Sequence, residues 1–349
     1  MVFGNITMVY DIDKLVVCAG WNKPADVTKL AKKARKRGEK EGEIEYLWHK
    51  YKPLLKVQGE NQTVFEMMLD TISGTSFKEV YFIVPGFDGY RARMERIARE
   101  KGEKRIKFVP QREGFLENIE FVHGIVADEE EPVMFSTADL PLVTHNEFNE
   151  FQEYCNLLDA KKDLIAPVTL KSVLDRDDFY RRYLPVDIEG ERVLGKEGNV
   201  FVANRRGLNV GLFFGSRKLK DPRCILSLIN GIRKRVGSKQ LERIGMDVLE
   251  GFGDGSKLVG IYDMLWSTFV DNDYVVRGSI GNLEDFQKNM GDILGCSVHL
   301  VPNYDWPGFC EDMDSRKDQN KRIPEVLKRR RAELALLLSK QDSYIKRGK

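Results

Sequence analysis

Histidine is scarce in this 349-residue chain, and His49, His123, His145 and His299 stand apart from one another and from the five scattered cysteines. Those cysteines (Cys18, Cys155, Cys224, Cys296 and Cys310) form no Cys-x-x-Cys pair, so a zinc site of ordinary spacing is not supported. Their odd number and wide scatter read as incidental or buried thiols in a reducing compartment, and the expected location is the cytoplasm. No Ser/His/Asp or Cys/His constellation for nucleophilic catalysis stands out. No segment approaches the roughly 20 apolar residues of a membrane-spanning helix. The opening "MVFGNITMVYDIDK" has no basic region leading into an apolar core, so a signal peptide is not expected. An excess of one charge is missing too: 56 basic and 54 acidic residues leave a formal net charge of +2. That balance gives no global electrostatic reason to expect nucleic acid or a membrane as partner. Internal repeats and low-complexity linkers are also absent.

What remains is a globular composition, 42% hydrophobic and 32% charged, on a chain long enough for one large domain with additions. From residue 14 to about 168 strands and helices alternate. "KLVVCAG" reads as a short buried strand ending in glycine, and "VFEMMLDTI" places Val64, Met67, Met68 and Ile72 at helical spacing. "EVYFIV", "RIKFVP", "PVMFSTA" and "DLIAPV" read as further strands. The amphipathic "YRARMERIARE", "FLENIEFVHGIV" and "HNEFNEFQEYCNLL" lie between them. Such alternation predicts an α/β fold of three layers, α/β/α, around a mainly parallel sheet. Residues 1–325 are expected to form this domain and 326–349 a C-terminal helical tail. Two interruptions are expected: a charged helical insertion at about 23–50, and an elaboration at about 169–295. The first reads as a solvated surface, with a basic lid over an anionic ligand as the rival. The run "KRRRAE" near the C-terminus also reads as a solvated helix face, with anion binding as the alternative, and Asp314 or Ser315 is the expected N-cap and Leu327, Leu334 and Leu338 part of an apolar stripe.

Three segments could carry chemistry together. In "VVCAG" the glycine lets the backbone turn and offer amides to an anion, which makes Cys18, Ala19 and Gly20 candidate nucleotide contacts. In "YKPLLKVQG" Lys52 precedes Pro53, which biases it toward an extended conformation, and its ammonium is a point charge suited to phosphate. In "TADLPLVTHNEF" Asp139 follows a buried strand, and Thr144 is placed to cap the next helix. A lone carboxylate at a strand end suits Mg²⁺, which takes one or two carboxylates with waters and substrate phosphates; a turn or cap role is the alternative. "CEDMDSRKDQ" adds Asp312 and Asp314, which share a face if extended.

In this order the segments resemble the nucleotidyltransferases of the MobA-like NTP-transferase family, whose fold is of the GT-A type. "LVVCAG" resembles the family's first strand and nucleotide loop, "KPLLKVQG" its lysine motif with Lys52 at the matching position, and "VMFSTADLPLVT" the strand ending in its metal-binding aspartate, here Asp139. "EDMDSRKDQ" resembles the late acidic motif, in which Asp312 or Asp314 would be a metal ligand. "GKEGNVFVANRRGLN" resembles a strand whose Gly198 and Asn199 would face the acceptor. The resemblance spans about residues 14–325. One departure is plain: "CAGWNKPADVTKL" has a single glycine where the family's first loop is glycine-rich, which bears on catalytic competence.

The resemblance implies a Mg²⁺-dependent enzyme acting on a nucleoside triphosphate and a phosphorylated small molecule, with Lys52 and Asp139 as catalytic residues and homo-oligomers allowed. The alternatives are a GT-A glycosyltransferase, which would use a nucleotide sugar and release a nucleoside diphosphate, and a non-catalytic nucleotide-binding regulatory protein.

Overall fold

The computed structural model describes residues 11–20, 51–86, 89–112, 115–158, 160–174, 184–188, 191–208, 296–313 and 318–333, with Gln287 and Ala335. The insertion at 23–50, most of the 169–295 elaboration, Asp314, Ser315, Leu334 and Leu338 lie outside the described residues.

The predicted alternation is present. In chain order come β1 (Lys14–Cys18), α1 (Val64–Ser73), β2 (Glu79–Val84), α2 (Tyr90–Glu100), β3 (Ile106–Pro110), α3 (Phe115–Val126), β4 (Val133–Thr137), α4 (His145–Asn156) and β5 (Leu164–Leu170). A short α5 (Lys171–Leu174), then β6 (Leu184–Ile188), β7 (Glu191–Glu197), β8 (Val200–Ala203) and β9 (Val298–Asn303) follow. The C-terminal helix, α6, covers residues 323–333 and is preceded by a wider π-turn at Asp318–Arg322.

Local chemistry explains where the helices begin. Thr63 accepts a hydrogen bond from the amide of Glu66, while Glu66 accepts from the amide of Thr63, a reciprocal cap that satisfies two otherwise orphaned donors of α1. Thr144 and Glu147 repeat the device at α4, as expected of Thr144. Pro324, which has no N–H to donate, follows directly on the π-turn where the wider turn passes into α6.

Among the described residues the sheet has nine strands in the order β3-β2-β1-β4-β8-β5-β7-β6, with β9 on the other edge of β5. β3, β2, β1 and β4 are mutually parallel, and β9 is parallel to β5. β7 and β8 run against the rest, β8 lying between β4 and β5. The fold is thus α/β with a mainly parallel sheet, widened by strands from the predicted elaboration.

Alternate strand residues enter opposite cores. On one face Leu15, Val17, Val80, Phe82 and Met134 pack against Phe65, Met68 and Ile72 of α1, Met94 of α2 and Phe148 and Phe151 of α4. On the other, Val16, Tyr81, Ile83, Val133 and Phe135 meet Ile119, Val122 and Val126 of α3. Helices therefore cover both faces. Phe65 meets Phe82 edge-on with ring centroids 5.1 Å apart, and both are fully buried; truncating either to alanine would cost about 3–5 kcal/mol. α1 is more apolar than its predicted stripe: Val64 and Met67 turn away from the main core to a third cluster with Val57, Leu142, Met313, Ile323 and Val326. That cluster joins α6 to the body of the domain.

Candidate functional site

β1 has β2 on one side and β4 on the other, so successive connections diverge between β1 and β4. In open α/β sheets a crevice forms at the carboxyl ends of the strands at such a switch point. Cys18 and Thr137 are register partners at those ends, and the amide of Ala138 donates to the Cys18 carbonyl at 3.1 Å. Asp139 therefore emerges beside Cys18, Ala19 and Gly20.

Asp139 is not a lone carboxylate. Its Oδ2 lies 2.7 Å from Lys52 Nζ, and the two side chains retain 21% and 16% of their exposure. A pair this sheltered loses part of its hydration and still meets solvent, the position from which both charges can exchange partners. Lys52 reaches it from a 3-10 turn (Lys52–Leu54) rather than from the extended run expected of it. Pro53 is tolerated in that first turn because the N–H it lacks would have no partner there. The preceding Tyr51 is buried, stacks near Tyr90 with centroids 4.4 Å apart, and donates its hydroxyl to the Ala19 carbonyl at 2.6 Å. Tyr51 thus ties the lysine turn to the first loop, a role that no neighbouring residue in the sequence announces. Downstream, Gly59 adopts φ 84°, a turn geometry that favours glycine, and the Val64 amide closes on the Leu55 carbonyl at 2.9 Å.

A second lysine–aspartate pair stands alongside. Lys196 Nζ on β7 lies 3.6 Å from Asp312 Oδ1 and donates to the Cys310 carbonyl at 2.8 Å. The Met313 amide donates to the Asp139 carbonyl at 2.9 Å, which places the backbone following Asp312 against Asp139 itself. The two pairs, drawn from four chain segments, are thereby linked through the backbone between Asp139 and Met313. Nothing local in the sequence marks Lys196, because a lysine on a polar, alternating strand resembles any solvated side chain.

The remaining predicted residues are placed as follows. The Ala19 amide donates to the Ile83 carbonyl at 3.0 Å, so this donor is engaged within the protein, and the Ala19 carbonyl accepts from the Tyr51 hydroxyl. At Gly20 a Cβ would approach the Gln111 side chain to 3.1 Å, a close passage that a small residue permits. Gly198 packs with a would-be Cβ 3.1 Å from Pro167 and 3.3 Å from Phe309, and the Asn199 amide donates to the Phe309 carbonyl at 2.6 Å. Their backbones seat the β7–β8 turn on the segment leading to Asp312. Asp314 lies outside the described residues. Burial, with the Asp139 charge beside it, pushes the Cys18 thiol up to about 12, so it is neutral at physiological pH. Among the described residues no three His, Cys, Asp or Glu side chains gather as a metal cluster, and no helix is long and apolar enough to cross a membrane.

Neither a protein-family model nor a curated protein matches the chain. Among solved structures it is similar to a hypothetical transferase from Thermus thermophilus, at 17% identity over 88% of this chain and 100% of that one, with a TM-score of 0.48. It is also similar to the inositol-1-phosphate CTP transferase from T. maritima, at 12% identity over 91% and 95% of the two chains with a TM-score of 0.44. A third is 4-diphosphocytidyl-2C-methyl-D-erythritol synthase from Anaerococcus prevotii, at 12% identity over 61% and 79% with a TM-score of 0.38.

Proposed function

We propose that the chain is a nucleotidyltransferase, of the kind its MobA-like motifs suggest, moving a nucleotidyl group from a nucleoside triphosphate to a phosphorylated small molecule. The observation that carries this reading is the 2.7 Å contact between Lys52 Nζ and Asp139 Oδ2, beside the β1–β4 switch point. A carboxylate to hold a cation and an ammonium to meet phosphate are what such a reaction asks of a protein that supplies no covalent step.

The acceptor's phosphate is already anionic, so no strong general base is required. One of its oxygens attacks the α-phosphorus; the bond from that phosphorus to the bridging oxygen breaks, and the electron pair leaves with pyrophosphate. Lys52 moves from Asp139 to the triphosphate and stabilises the charge developing there, as phosphoryl-transfer lysines do. Lys196 adds a second ammonium for a substrate anion once its carboxylate partner is otherwise occupied. The Tyr51 hydroxyl bonded to the Ala19 carbonyl and the Met313 amide bonded to the Asp139 carbonyl hold these groups in place.

The donor set fits Mg²⁺: Asp139 and Asp312 are hard oxygen donors whose backbone segments are hydrogen-bonded together, and Mg²⁺ needs only one or two carboxylates besides phosphate oxygens and water. When bound, the ion would neutralise phosphate charge. A soluble cytoplasmic enzyme with small-molecule substrates is the setting this reading implies.

The test is release of pyrophosphate from each of the four NTPs against a panel of phosphorylated acceptors, with and without Mg²⁺. Asp139→Asn should abolish the Mg²⁺-dependent release. Unchanged turnover in that variant would remove Asp139 from the chemistry. Release of a nucleoside diphosphate from a nucleotide sugar instead would make the protein a glycosyltransferase.

A further inference from the structure

The basic run "KRRRAE" does not form a uniformly solvated helix face. Arg331 pairs with Glu60 through both guanidinium nitrogens at 2.9 Å, which fastens α6 to the loop downstream of Lys52. Gln319 adds a hydrogen bond from its side-chain amide to the Lys56 carbonyl at 2.7 Å, and its own carbonyl accepts from the Gln58 amide at 3.1 Å. Arg330 points to a different pair of segments. One of its terminal nitrogens donates to the Leu142 carbonyl at 2.8 Å, three residues past Asp139. The other donates to Glu311 Oε2 at 2.9 Å, directly before Asp312, and Glu311 is fully buried.

The two acidic segments already touch elsewhere. The Gly308 amide donates to Glu147 Oε1 at 2.7 Å, and the Met313 amide to the Asp139 carbonyl. Arg330 is the brace that comes from outside both segments. A planar guanidinium reaches two acceptors in a fixed fork, which an ammonium cannot reproduce. Ile323 and Val326 of the same helix are buried with Leu142 and Met313, so the helix carrying the brace is itself anchored in the cluster beneath the site.

We infer that Arg330 is a positioning residue: it sets the spacing between the Asp139 loop and the Asp312 segment without touching substrate. This rests on the nucleotidyltransferase reading for its catalytic consequence, though not for the coupling itself.

Because Glu311 is buried, removing Arg330 alone would strand a charge, and loss of activity could then reflect unfolding. The informative variant of the full chain is R330M/E311L, which removes both charges and keeps an apolar contact. If Arg330 serves stability only, this variant restores wild-type behaviour. The expected result is a melting temperature near that of the parent with kcat for pyrophosphate release about ten- to a hundredfold lower, as a small misplacement of reacting groups produces. KM should stay within about threefold, since ground-state binding is not the interaction lost. Amide exchange should quicken in 139–143 and 310–313 while β2 stays protected. Parental kcat together with parental exchange in those segments overturns the proposal. If the double variant does not fold, R330K decides on the same readouts, because it keeps a positive charge on Glu311 and loses the fork. Should the parent release no pyrophosphate with any of the four NTPs, the nucleotidyltransferase reading falls. The exchange comparison still decides whether Arg330 couples the two segments.

Discussion

Replacing Lys52 by methionine and Asp139 by leucine, singly and together, separates what this pair does for folding from what it does for chemistry. At 2.7 Å the gross attraction is roughly 6 kcal/mol for an effective dielectric of about 20. Desolvating each ion costs several kcal/mol in the opposite direction. With 16% and 21% of the side chains still exposed, water and salt screen part of the attraction. The net coupling should therefore be about 1–2 kcal/mol, above an exposed pair and below the 3–5 kcal/mol of a fully buried one broken on one side. Each single variant leaves a largely desolvated charge without its partner and should lose about that much stability, read as a lowered urea midpoint at unchanged m. The double variant should return to within about 1 kcal/mol of the parent, because an apolar pair replaces both charges. Pyrophosphate release should behave differently: down about a hundredfold or more in all three variants, since no apolar pair stabilises charge on phosphate. A double variant destabilised by the sum of the singles would mean that the ion pair does not form in solution. A double variant that keeps its turnover would remove the pair from the mechanism.

Three further outcomes follow from contacts around the site. The folded Cys18 thiol is raised from 9.0 to about 12, so between those values the unfolded chain releases a proton that the native chain retains. Its contribution to stability is complete below pH 9 and declines as pH rises toward 12, and native Cys18 should resist iodoacetamide at pH 8; labelling as fast as in the unfolded chain would contradict this. Gly308→Ala would place a Cβ 2.7 Å from the Val143 Cα and 2.6 Å from Glu147 Oε2. Backbone on one side cannot yield, so unfolding free energy should drop by about 3 kcal/mol, the upper end for overpacking, and a neutral result by denaturant titration would refute the packing. Lys196→Met should raise KM for the anionic substrate more than it lowers kcat, which steady-state kinetics would reveal; an unaffected KM would assign Lys196 to holding Asp312 and the Cys310 carbonyl alone.

How much of this was legible in the sequence depends on the range over which each signal acts. Strand and helix identity between residues 14 and 168 is written in periodicity within a few residues of each position, and the observed β1–β5 and α1–α4 follow it. Thr144 as a cap and Asp139 as a strand-end carboxylate are equally local. The order of the sheet is not local: β8 enters antiparallel between β4 and β5, a pairing with strands tens of residues away that no short window of sequence contains. Charge is the hardest signal to read, because the same letter describes a solvated side chain and a braced one. Lys196 and Arg330 both looked like ordinary surface residues, and both have partners more than a hundred residues away or on a segment of different type. Asp139 differed because its surroundings were apolar and sequential, so its carboxylate was conspicuous without knowledge of its partner. A sequence therefore exposes a charged functional residue when the residues beside it are unable to solvate it, and hides one whose neighbours are themselves polar. By that criterion the lysines and arginines of "GKEGN" and "KRRRAE" could be told from solvated ones only after β7 and α6 had been placed against the acidic segments they hold.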